Sequence, residues 1–374
     1  MKKVIYADNA ATTKLDEAAF DAMKPFLLEE YGNPSQPYSL SRAPKQALRD
    51  ARKTIAACIG ALPEEIFFTS GGTESDNWAI KGSAFGDDRK RATITTSIEY
   101  HAILHACSAI EKLGYPVAYL SPDTQGIVHG DVLQQIITNE TRLTSIMFSN
   151  NEIGTIQPIK ELCTIAHEHG SLFHTDAVQA VGHIPIDVNV LGVDMLSASA
   201  HKFNGPKGVG FLYVRKGTKL QPFNDGGAQE FGMRAGTENV AGIVGMARAL
   251  NDNCKLISQY HDQMIRLEDI LIETITKAGL NFIRNGAKAH IPGNVSLSFN
   301  NSDGEMLLHR LDLMGIVVST GSACDSKNTQ ISHVIQAVKV PSEFAKGTIR
   351  ISFGKYNSEE DAEKIGKAIA KVLK

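Results

Sequence analysis

The sequence predicts an α/β protein, with a mostly parallel sheet in a large domain and a smaller α+β domain. Short apolar runs rich in branched residues alternate with longer stretches of helical period, which is typical of parallel strands joined by crossover helices. At 374 residues the chain is also long enough for two cores. We therefore expect one large domain followed by a small one.

The elements follow in order along the chain. A long helical pattern from about residue 237 to residue 279 contains the predicted domain junction, which gives a large domain over 15–252 and a small domain over 1–14 and 253–374. Strands of the large domain are predicted at 66–69, 92–95, 145–148, 172–174 and 211–214, and in the small domain strands at 294–299 and 348–353 flank a helix at 304–314.

Composition excludes several classes of partner. Charged residues make up 21% of the chain and the formal net charge is −3, so no positive field is available to bind nucleic acid or anionic lipid. No apolar stretch is long enough to span a bilayer, so no membrane contact is expected and the predicted location is cytoplasmic.

Five cysteines are scattered without a Cys-x-x-Cys pair, which favours a reducing compartment. Four of them, Cys58, Cys107, Cys163 and Cys254, lie in helical patterns and are predicted to be buried and inert. His167 and His169 are two positions apart on a predicted helix and point to different sides of it. No metal site is therefore predicted.

A glycine pair follows the first predicted strand of the large domain. In Phe68-Thr-Ser-Gly-Gly-Thr-Glu-Ser-Asp-Asn77, the strand ends at Gly71 and Gly72 and a helix begins, so backbone N–H groups can converge on a phosphate. The segment lacks the Gly-Lys-Ser/Thr of a P-loop. On its own, a helix capped by Ser70 or Thr73 explains the same residues equally well.

An acid and a lysine supply a second signal. Asp176 ends an apolar run, and Lys202 follows small residues and leads into the glycine-rich turn Gly205-Pro-Lys-Gly208. A pyridine cofactor requires a lysine amine for a Schiff base and an acid that keeps the ring nitrogen protonated. Together with the glycine pair, these residues predict a pyridoxal 5'-phosphate site.

The sequence resembles the cysteine desulfurases of the class V aminotransferase group, which are fold-type-I pyridoxal-phosphate enzymes. This resemblance implies that the mostly parallel sheet of the large domain has seven strands. The resemblance runs almost end to end. The matching segments are Tyr6-Ala-Asp-Asn-Ala-Ala-Thr-Thr13, Gly32-Asn-Pro-Ser35, Ser70-Gly-Gly-Thr-Glu-Ser75, Asn150-Asn-Glu-Ile-Gly154, His174-Thr-Asp-Ala-Val-Gln179, the lysine segment, Arg234-Ala-Gly-Thr-Glu-Asn239 and Gly321-Ser-Ala-Cys324.

The resemblance implies a role for each matching residue. Arg350 would bind the substrate carboxylate with help from Asn33, and Thr237 would reach the cofactor phosphate of the neighbouring subunit, which implies a homodimer. His101 would stack on the pyridine ring as a catalytic residue. The remaining cofactor-binding residues would be Gly72, Thr73, Asn151, Asp176, Gln179, Ser199, His201 and Lys202.

Cys324 lies in the segment Ser319-Thr-Gly-Ser-Ala-Cys-Asp-Ser326, whose composition predicts a loop suited to a transferable sulfur atom. The long gap from Cys324 to Arg350 is similar to the longer-loop branch of the family, which passes sulfur to acceptor proteins. The implied reaction takes sulfur from L-cysteine onto Cys324 and leaves L-alanine, with iron–sulfur assembly or thiolation downstream.

One segment departs from the family pattern. After Gly32-Asn-Pro-Ser35 the family continues with a serine and then a histidine, whereas this chain has Gln36-Pro37-Tyr38. The entrance of the substrate pocket is therefore expected to differ. The alternatives are a lyase for selenocysteine or cysteine sulfinate, an aminotransferase that does not use Cys324, and a non-catalytic scaffold that binds sulfur acceptors.

Overall fold

The computed structural model describes residues 4–86, 91–320 and 331–374. Its strands form three sheets. In chain order they are β1 (Ile5–Tyr6), β2 (Ile66–Thr69), β3 (Ala92–Thr96), β4 (Val117–Leu120), β5 (Thr141–Ser145), β6 (Leu172–Asp176), β7 (Met195–Ser199), β8 (Gly210–Val214), β9 (Phe282–Asn285), β10 (Asn294–Phe299), β11 (Ile316–Val317) and β12 (Thr348–Ser352).

The largest sheet has seven strands in the order β2-β8-β7-β6-β5-β3-β4. Strand β8 runs antiparallel to β2 and β7, and the other pairings are parallel. Four of its strands, β2, β5, β7 and β8, are buried along their whole length, as expected for a sheet covered by helices on both faces. The predicted α/β class with a mostly parallel seven-stranded sheet is confirmed.

Helices cover the sheets and link them. They are α1 (Glu17–Leu28), α2 (Arg42–Ile59), α3 (Gly72–Ala84), α4 (His101–Glu111), α5 (Gly130–Ile136), α6 (Ile159–Glu168), α7 (Val188–Leu191), α8 (Val240–Lys277), α9 (Gly304–Leu313), α10 (His333–Ala337), α11 (Ser342–Ala345) and α12 (Glu359–Leu373). No described helix combines the length and the apolar character that crossing a bilayer requires.

Helix α8 connects two hydrophobic cores. Asn239 begins it by accepting a hydrogen bond from the Gly242 N–H at 3.0 Å, which is a common N-cap arrangement. Its first part packs Met246 and Leu250 into the core of the large sheet, and its later part packs Leu267 into the core of the small sheet. The predicted junction at residue 252 therefore falls inside one continuous helix, and the domain limits remain a prediction.

The C-terminal sheet is antiparallel, in the order β12-β10-β9. The N-terminal strand β1 joins this part of the molecule by pairing in parallel with β11, and Ile5 and Ala7 lie in the second core. Strand β12 places Arg350 on its middle residue, opposite Ser296 of β10. The N-terminal segment thus lies beside the strand that carries the predicted substrate-binding arginine.

One predicted strand lies at different residues in the structure. The apolar run 145–148 predicted a strand, whereas β5 ends at Ser145. Its residues are buried although most are polar, because Thr144 bonds to the Ser171 hydroxyl at 3.1 Å and Arg142 donates to the Lys219 carbonyl at 2.8 Å. Satisfied polar side chains thus produce a buried strand without an apolar pattern.

The four cysteines predicted in helices lie in α2, α4, α6 and α8. Cys107 and Cys163 are buried as predicted, whereas Cys58 and Cys254 are only half-buried. The prediction of burial was therefore wrong for that pair, because their helices α2 and α8 leave a groove between them that both side chains line.

Candidate active site

A cavity of about 370 Å³ opens at the carboxyl edge of the parallel strands. Segments following β2, β3, β5, β6 and β7 all contribute to its lining. This edge is where ligands bind in open α/β sheets, because the loops that leave parallel strands meet there. The cavity therefore occupies the position expected for a cofactor site.

The glycine pair forms one end of the cavity. Gly71 has φ +147°, a conformation that L side chains rarely adopt, and a Cβ on Gly72 would lie 2.6 Å from Val178 Cγ2. Both positions therefore require glycine. The pair leads into α3, so the backbone N–H groups of its first turn and the helix dipole favour an anion here.

Glu74 in the first turn of α3 is neutralised by Arg234. Arg234 Nε donates to Glu74 Oε1 at 2.7 Å and Nη2 donates to Oε2 at 3.1 Å. Burial acts to raise the pKa of Glu74, but the hydrogen bonds from Arg234 and Ser70 outweigh it and hold the pKa below its usual value. This pair anchors the predicted Arg234–Asn239 segment beside the glycine end of the cavity.

Asp176 lines the cavity from the end of β6. Its Oδ1 accepts a hydrogen bond from the Val178 N–H at 2.9 Å, and the carboxyl group is buried. Burial raises the pKa of Asp176 to about 6, while the Val178 hydrogen bond and the Lys202 charge act in the opposite direction. A positive group bound in the cavity would therefore stabilise the ionised form of this carboxylate.

Lys202 ends the short 3-10 turn that follows β7, and it lines the same cavity as Asp176. Its Nζ donates to the carbonyls of Ala10 and Ala11 at 2.6 and 2.8 Å. The neighbouring residue His201 also lines the cavity, and its Nδ1 lies 3.1 Å from the Thr12 hydroxyl oxygen. Burial, with the charges of Lys202 and Lys207, lowers the pKa of His201 to about 4.

Most predicted cofactor-binding residues lie together, and some predicted residues do not. Thr237 is exposed and does not line the cavity, and Asn33 is half-buried with its Oδ1 bound to the Ser35 N–H. His101 is not among the lining residues, and Cys324 lies outside the described residues. The predicted residues that line the cavity are Gly72, Thr73, Asn151, Asp176, Gln179, Ser199, His201 and Lys202.

Arg350 is buried beside the cavity rather than in its lining. Nη1 donates to the carbonyl of Asn151, a lining residue, at 2.9 Å, and Nη2 donates to Asp8 Oδ1 at 2.6 Å. Its Nε has no partner within the described part of the chain. A buried guanidinium with an unused donor is suited to receiving a carboxylate.

Replacing Arg350 by lysine should raise the KM for L-cysteine by about 10- to 100-fold, because lysine keeps the charge and loses the planar donor fork. Steady-state alanine formation at varied L-cysteine measures this change. The exposed Arg310→Lys is the matched control and should keep the wild-type KM. An unchanged KM for Arg350→Lys would show that Arg350 does not bind the substrate carboxylate.

Several lining residues escaped the sequence analysis. Thr12, Asp76 and Lys207 stood in quoted segments but received no role, and Tyr100 was not considered. Asp76 is buried, and its Oδ1 has no hydrogen-bond partner in residues 4–86, 91–320 or 331–374. Helical period alone places Asp76 only on an inward face of α3, so its position at the cavity was not predictable from the pattern.

Behind the cavity lies a third buried acid. Glu99 Oε1 accepts hydrogen bonds from the Met147 N–H at 2.8 Å and the Thr96 hydroxyl at 2.9 Å. Its Oε2 has no partner in the described residues. Burial, together with the Asp176 charge, raises the pKa of Glu99 to about 8 despite the hydrogen bonds from Met147 and Thr96. Glu99 is therefore held protonated at neutral pH.

This raised pKa predicts a pH dependence of stability. Between about pH 4.5 and 8, folded Glu99 keeps a proton that the unfolded chain has lost, so the free energy of unfolding falls as pH rises through that window. The Glu99→Gln variant should show a smaller fall in the free energy of unfolding over this pH range. Urea unfolding at about pH 5 and about pH 8 measures it, with exposed Glu140→Gln as control. An equally steep fall in Glu99→Gln would contradict the assignment.

Comparisons with known proteins agree with the geometry of the cavity. Residues 5–365 match the sequence profile of the class-V aminotransferases. The chain belongs to the class-V aminotransferase family. A "Cysteine desulfurase IscS" of Dictyoglomus turgidum is 49% identical, with 96% of this chain and 92% of that protein covered. One of the same name from Methanosarcina thermophila is 47% identical, with 99% and 92% covered.

Solved structures of this family agree with the fold. A "NifS-like protein" has a TM-score of 0.93 at 39% identity, with 99% of both chains covered. A structure titled "SspA in complex with cysteine" has a TM-score of 0.84 at 34% identity, covering 95% of this chain and 100% of that one. The predicted resemblance to the cysteine desulfurases, and with it the fold-type-I class, is confirmed.

The family depends on pyridoxal 5'-phosphate, and the cavity has the groups that this cofactor requires. Asp176 has the buried carboxylate that a ring nitrogen would require, and Lys202 has the amine that would hold the cofactor. Gly71 and Gly72 have no side chains, so their backbone can approach a phosphate closely. The Ser199 hydroxyl lies beside Gly71 and suits the same group. Pyridoxal phosphate is therefore the cofactor of this chain.

Proposed function

We propose that this chain is a cysteine desulfurase that converts L-cysteine to L-alanine and keeps the sulfur atom as a persulfide on Cys324. The observation that carries the proposal is that Lys202 and Asp176 line one cavity with the glycine pair. The names of the relatives, which match over nearly the whole chain, support the choice of cysteine as substrate.

Each residue of the site has a separate role in the proposed reaction. Bound cofactor supplies an electron sink that makes the Cα proton of the amino acid acidic. Lys202 holds the cofactor and accepts that proton, since its Nζ is positioned by two backbone carbonyls at the cavity wall. Arg350 orients the substrate carboxylate, and Asp176 stabilises the positive ring nitrogen.

Cys324 performs the sulfur transfer. Its thiolate attacks the sulfur of L-cysteine, so that an S–S bond forms while the C–S bond breaks and the carbon fragment takes up a proton to become alanine. Summed over the reaction, L-cysteine and the Cys324 thiol give L-alanine and a Cys324 persulfide. A thiol of an acceptor molecule then removes the outer sulfur and regenerates Cys324.

Product analysis tests the proposal against its alternatives. Purified protein with L-cysteine and a reductant should form alanine and sulfide in equal amounts. Cysteine sulfinate and selenocysteine, offered separately, distinguish a lyase, and alanine formed from pyruvate with another amino donor distinguishes an aminotransferase. Neither alanine nor sulfide from L-cysteine, with bound cofactor present, would reject the desulfurase and reopen the aminotransferase and scaffold alternatives.

We further propose a homodimer that delivers sulfur to an acceptor protein in iron–sulfur assembly or thiolation. Thr237 is exposed, and Phe231 in the preceding turn is 68% exposed, as expected for residues that a second subunit covers. A cytoplasmic location remains a prediction from the scattered cysteines. Light scattering that gives the mass of one chain would contradict the dimer.

A further inference from the structure

We propose that Cys58 and Cys254 form a second thiol site, at which a small disulfide molecule oxidises the pair to a reversible disulfide between α2 and α8. The two cysteines are 196 positions apart in the chain. Helix packing brings them together, because both line one surface groove of about 510 Å³. Both are free thiols in the structure, and neither takes part in the proposed desulfurase reaction.

The groove gives both thiols access to solvent. Cys58 and Cys254 are half-buried, whereas Cys107 and Cys163 are only 0% and 1% exposed. Burial is the largest cause that raises the pKa of Cys107 to about 12, which keeps that thiol unreactive. Exposure is the first requirement for a thiol that reacts with dissolved molecules. The groove pair meets this requirement and the two core cysteines do not.

The two thiols of the groove differ in how readily they ionise. Cys254 Sγ lies 4.0 Å from the Cys58 carbonyl oxygen, so the Cys254 side chain contacts the turn of α2 that carries Cys58. A hydrogen bond from the Cys58 thiol lowers the pKa of Cys254, and the same bond, together with burial, raises the pKa of Cys58. The thiolate is the form of cysteine that attacks a disulfide. Cys254 is therefore the attacking residue and Cys58 the resolving residue.

Two lysines give the groove a positive charge. Lys53 and Lys255 line it together with the cysteines, and both are exposed. The Lys255 charge also acts to lower the pKa of Cys58, the thiol that must lose its proton in the second step. Within the described residues, no aspartate or glutamate lines the groove. An anionic disulfide should therefore react there more readily than a neutral one.

The reaction is thiol–disulfide exchange in two steps. The Cys254 thiolate attacks one sulfur of the small disulfide, so that a mixed disulfide forms while the S–S bond of the small molecule breaks and one small thiolate leaves. Cys58 then gives up its proton and attacks the Cys254 sulfur, which forms the protein disulfide and releases the second small thiolate. The released thiolates take up the two protein protons. Two protein thiols are thus oxidised and one small disulfide is reduced to two thiols.

The experiment uses the folded holoenzyme and two probes without amino groups, the anionic dithiodipropionate and the neutral hydroxyethyl disulfide. After alkylation of the remaining thiols, mass spectrometry should find the Cys58 and Cys254 peptides joined, with the loss of two hydrogen atoms, and dithiothreitol should separate them. At low ionic strength the anionic probe should react about 2- to 5-fold faster than the neutral one. Lys255→Gln should reduce that difference.

Single variants assign the roles of the two thiols. Cys58→Ser should keep the small thiol bound to Cys254 as a mixed disulfide, because no resolving thiol remains. Cys254→Ser should form a mixed disulfide on Cys58 about 3- to 10-fold more slowly, because burial disfavours the Cys58 thiolate. Cys107→Ala is the matched control and should form the joined peptides at the wild-type rate.

The proposal is overturned if the wild type, treated with an excess of either probe, gives no joined Cys58 and Cys254 peptides. Equal rates of mixed-disulfide formation in Cys58→Ser and Cys254→Ser would contradict the assignment of Cys254 as the attacking residue. The main result comes from the wild type, so it does not depend on the folding of any variant. It is also independent of the proposed function, since L-cysteine takes no part in the test.

Discussion

Replacing Lys202 by alanine should reduce alanine formation from L-cysteine by at least about 10⁴-fold, because one side chain both holds the cofactor and accepts the Cα proton. The ammonium is held by the Ala10 and Ala11 carbonyls at the cavity wall, and alanine cannot replace either role. Rapid quantification of alanine measures the loss. Borohydride treatment should attach the cofactor covalently to the wild type and not to Lys202→Ala.

Lys216→Ala is the control for this experiment, since Lys216 lies exposed just beyond β8. It should keep both turnover and covalent attachment of the cofactor. Covalent attachment in Lys202→Ala would show that another amine holds the cofactor, and Lys207, which also lines the cavity, would be the first to examine.

Asp176→Asn should lower the turnover number on the order of 10²- to 10³-fold while the cofactor still binds. Asparagine can keep the hydrogen bond from the Val178 N–H, so the strand end should keep its geometry. It carries no negative charge, so a protonated ring nitrogen loses its counterion in a buried place. Turnover and the visible spectrum of the bound cofactor measure the effect.

Asp187→Asn makes the same chemical change at an exposed N-cap, where the asparagine oxygen can still accept from the Asn189 and Val190 N–H groups. This variant should match the wild type. Asp176→Asn with wild-type turnover would show that the carboxylate does not act on the cofactor ring.

Local chemistry made the central part of the site predictable. A strand that ends in two glycines, an acid at the end of an apolar run, and a lysine before a glycine-rich turn each have a physical reason that can be derived from the residues. The structure brings these three features to one cavity. The sheet order was not derivable in the same way, because it depends on pairings between distant strands.

Contacts between distant residues account for what the sequence could not predict. Arg350 bonds to Asp8, which is 342 positions away, and no local pattern indicates that pair. Glu99 and Asp76 are acidic residues, a type that is almost never fully buried, yet both are buried behind or at the cavity.

Sulfur transfer to Cys324 is the central claim, and one measurement tests it most directly. The wild type and Cys324→Ala are incubated with L-cysteine without reductant, and the cysteine-containing peptides are weighed by mass spectrometry after alkylation. The account predicts that the wild-type Cys324 peptide gains one sulfur atom, while Cys324→Ala binds the cofactor but forms no protein persulfide. A persulfide on another cysteine, or full sulfide release by Cys324→Ala, would contradict it.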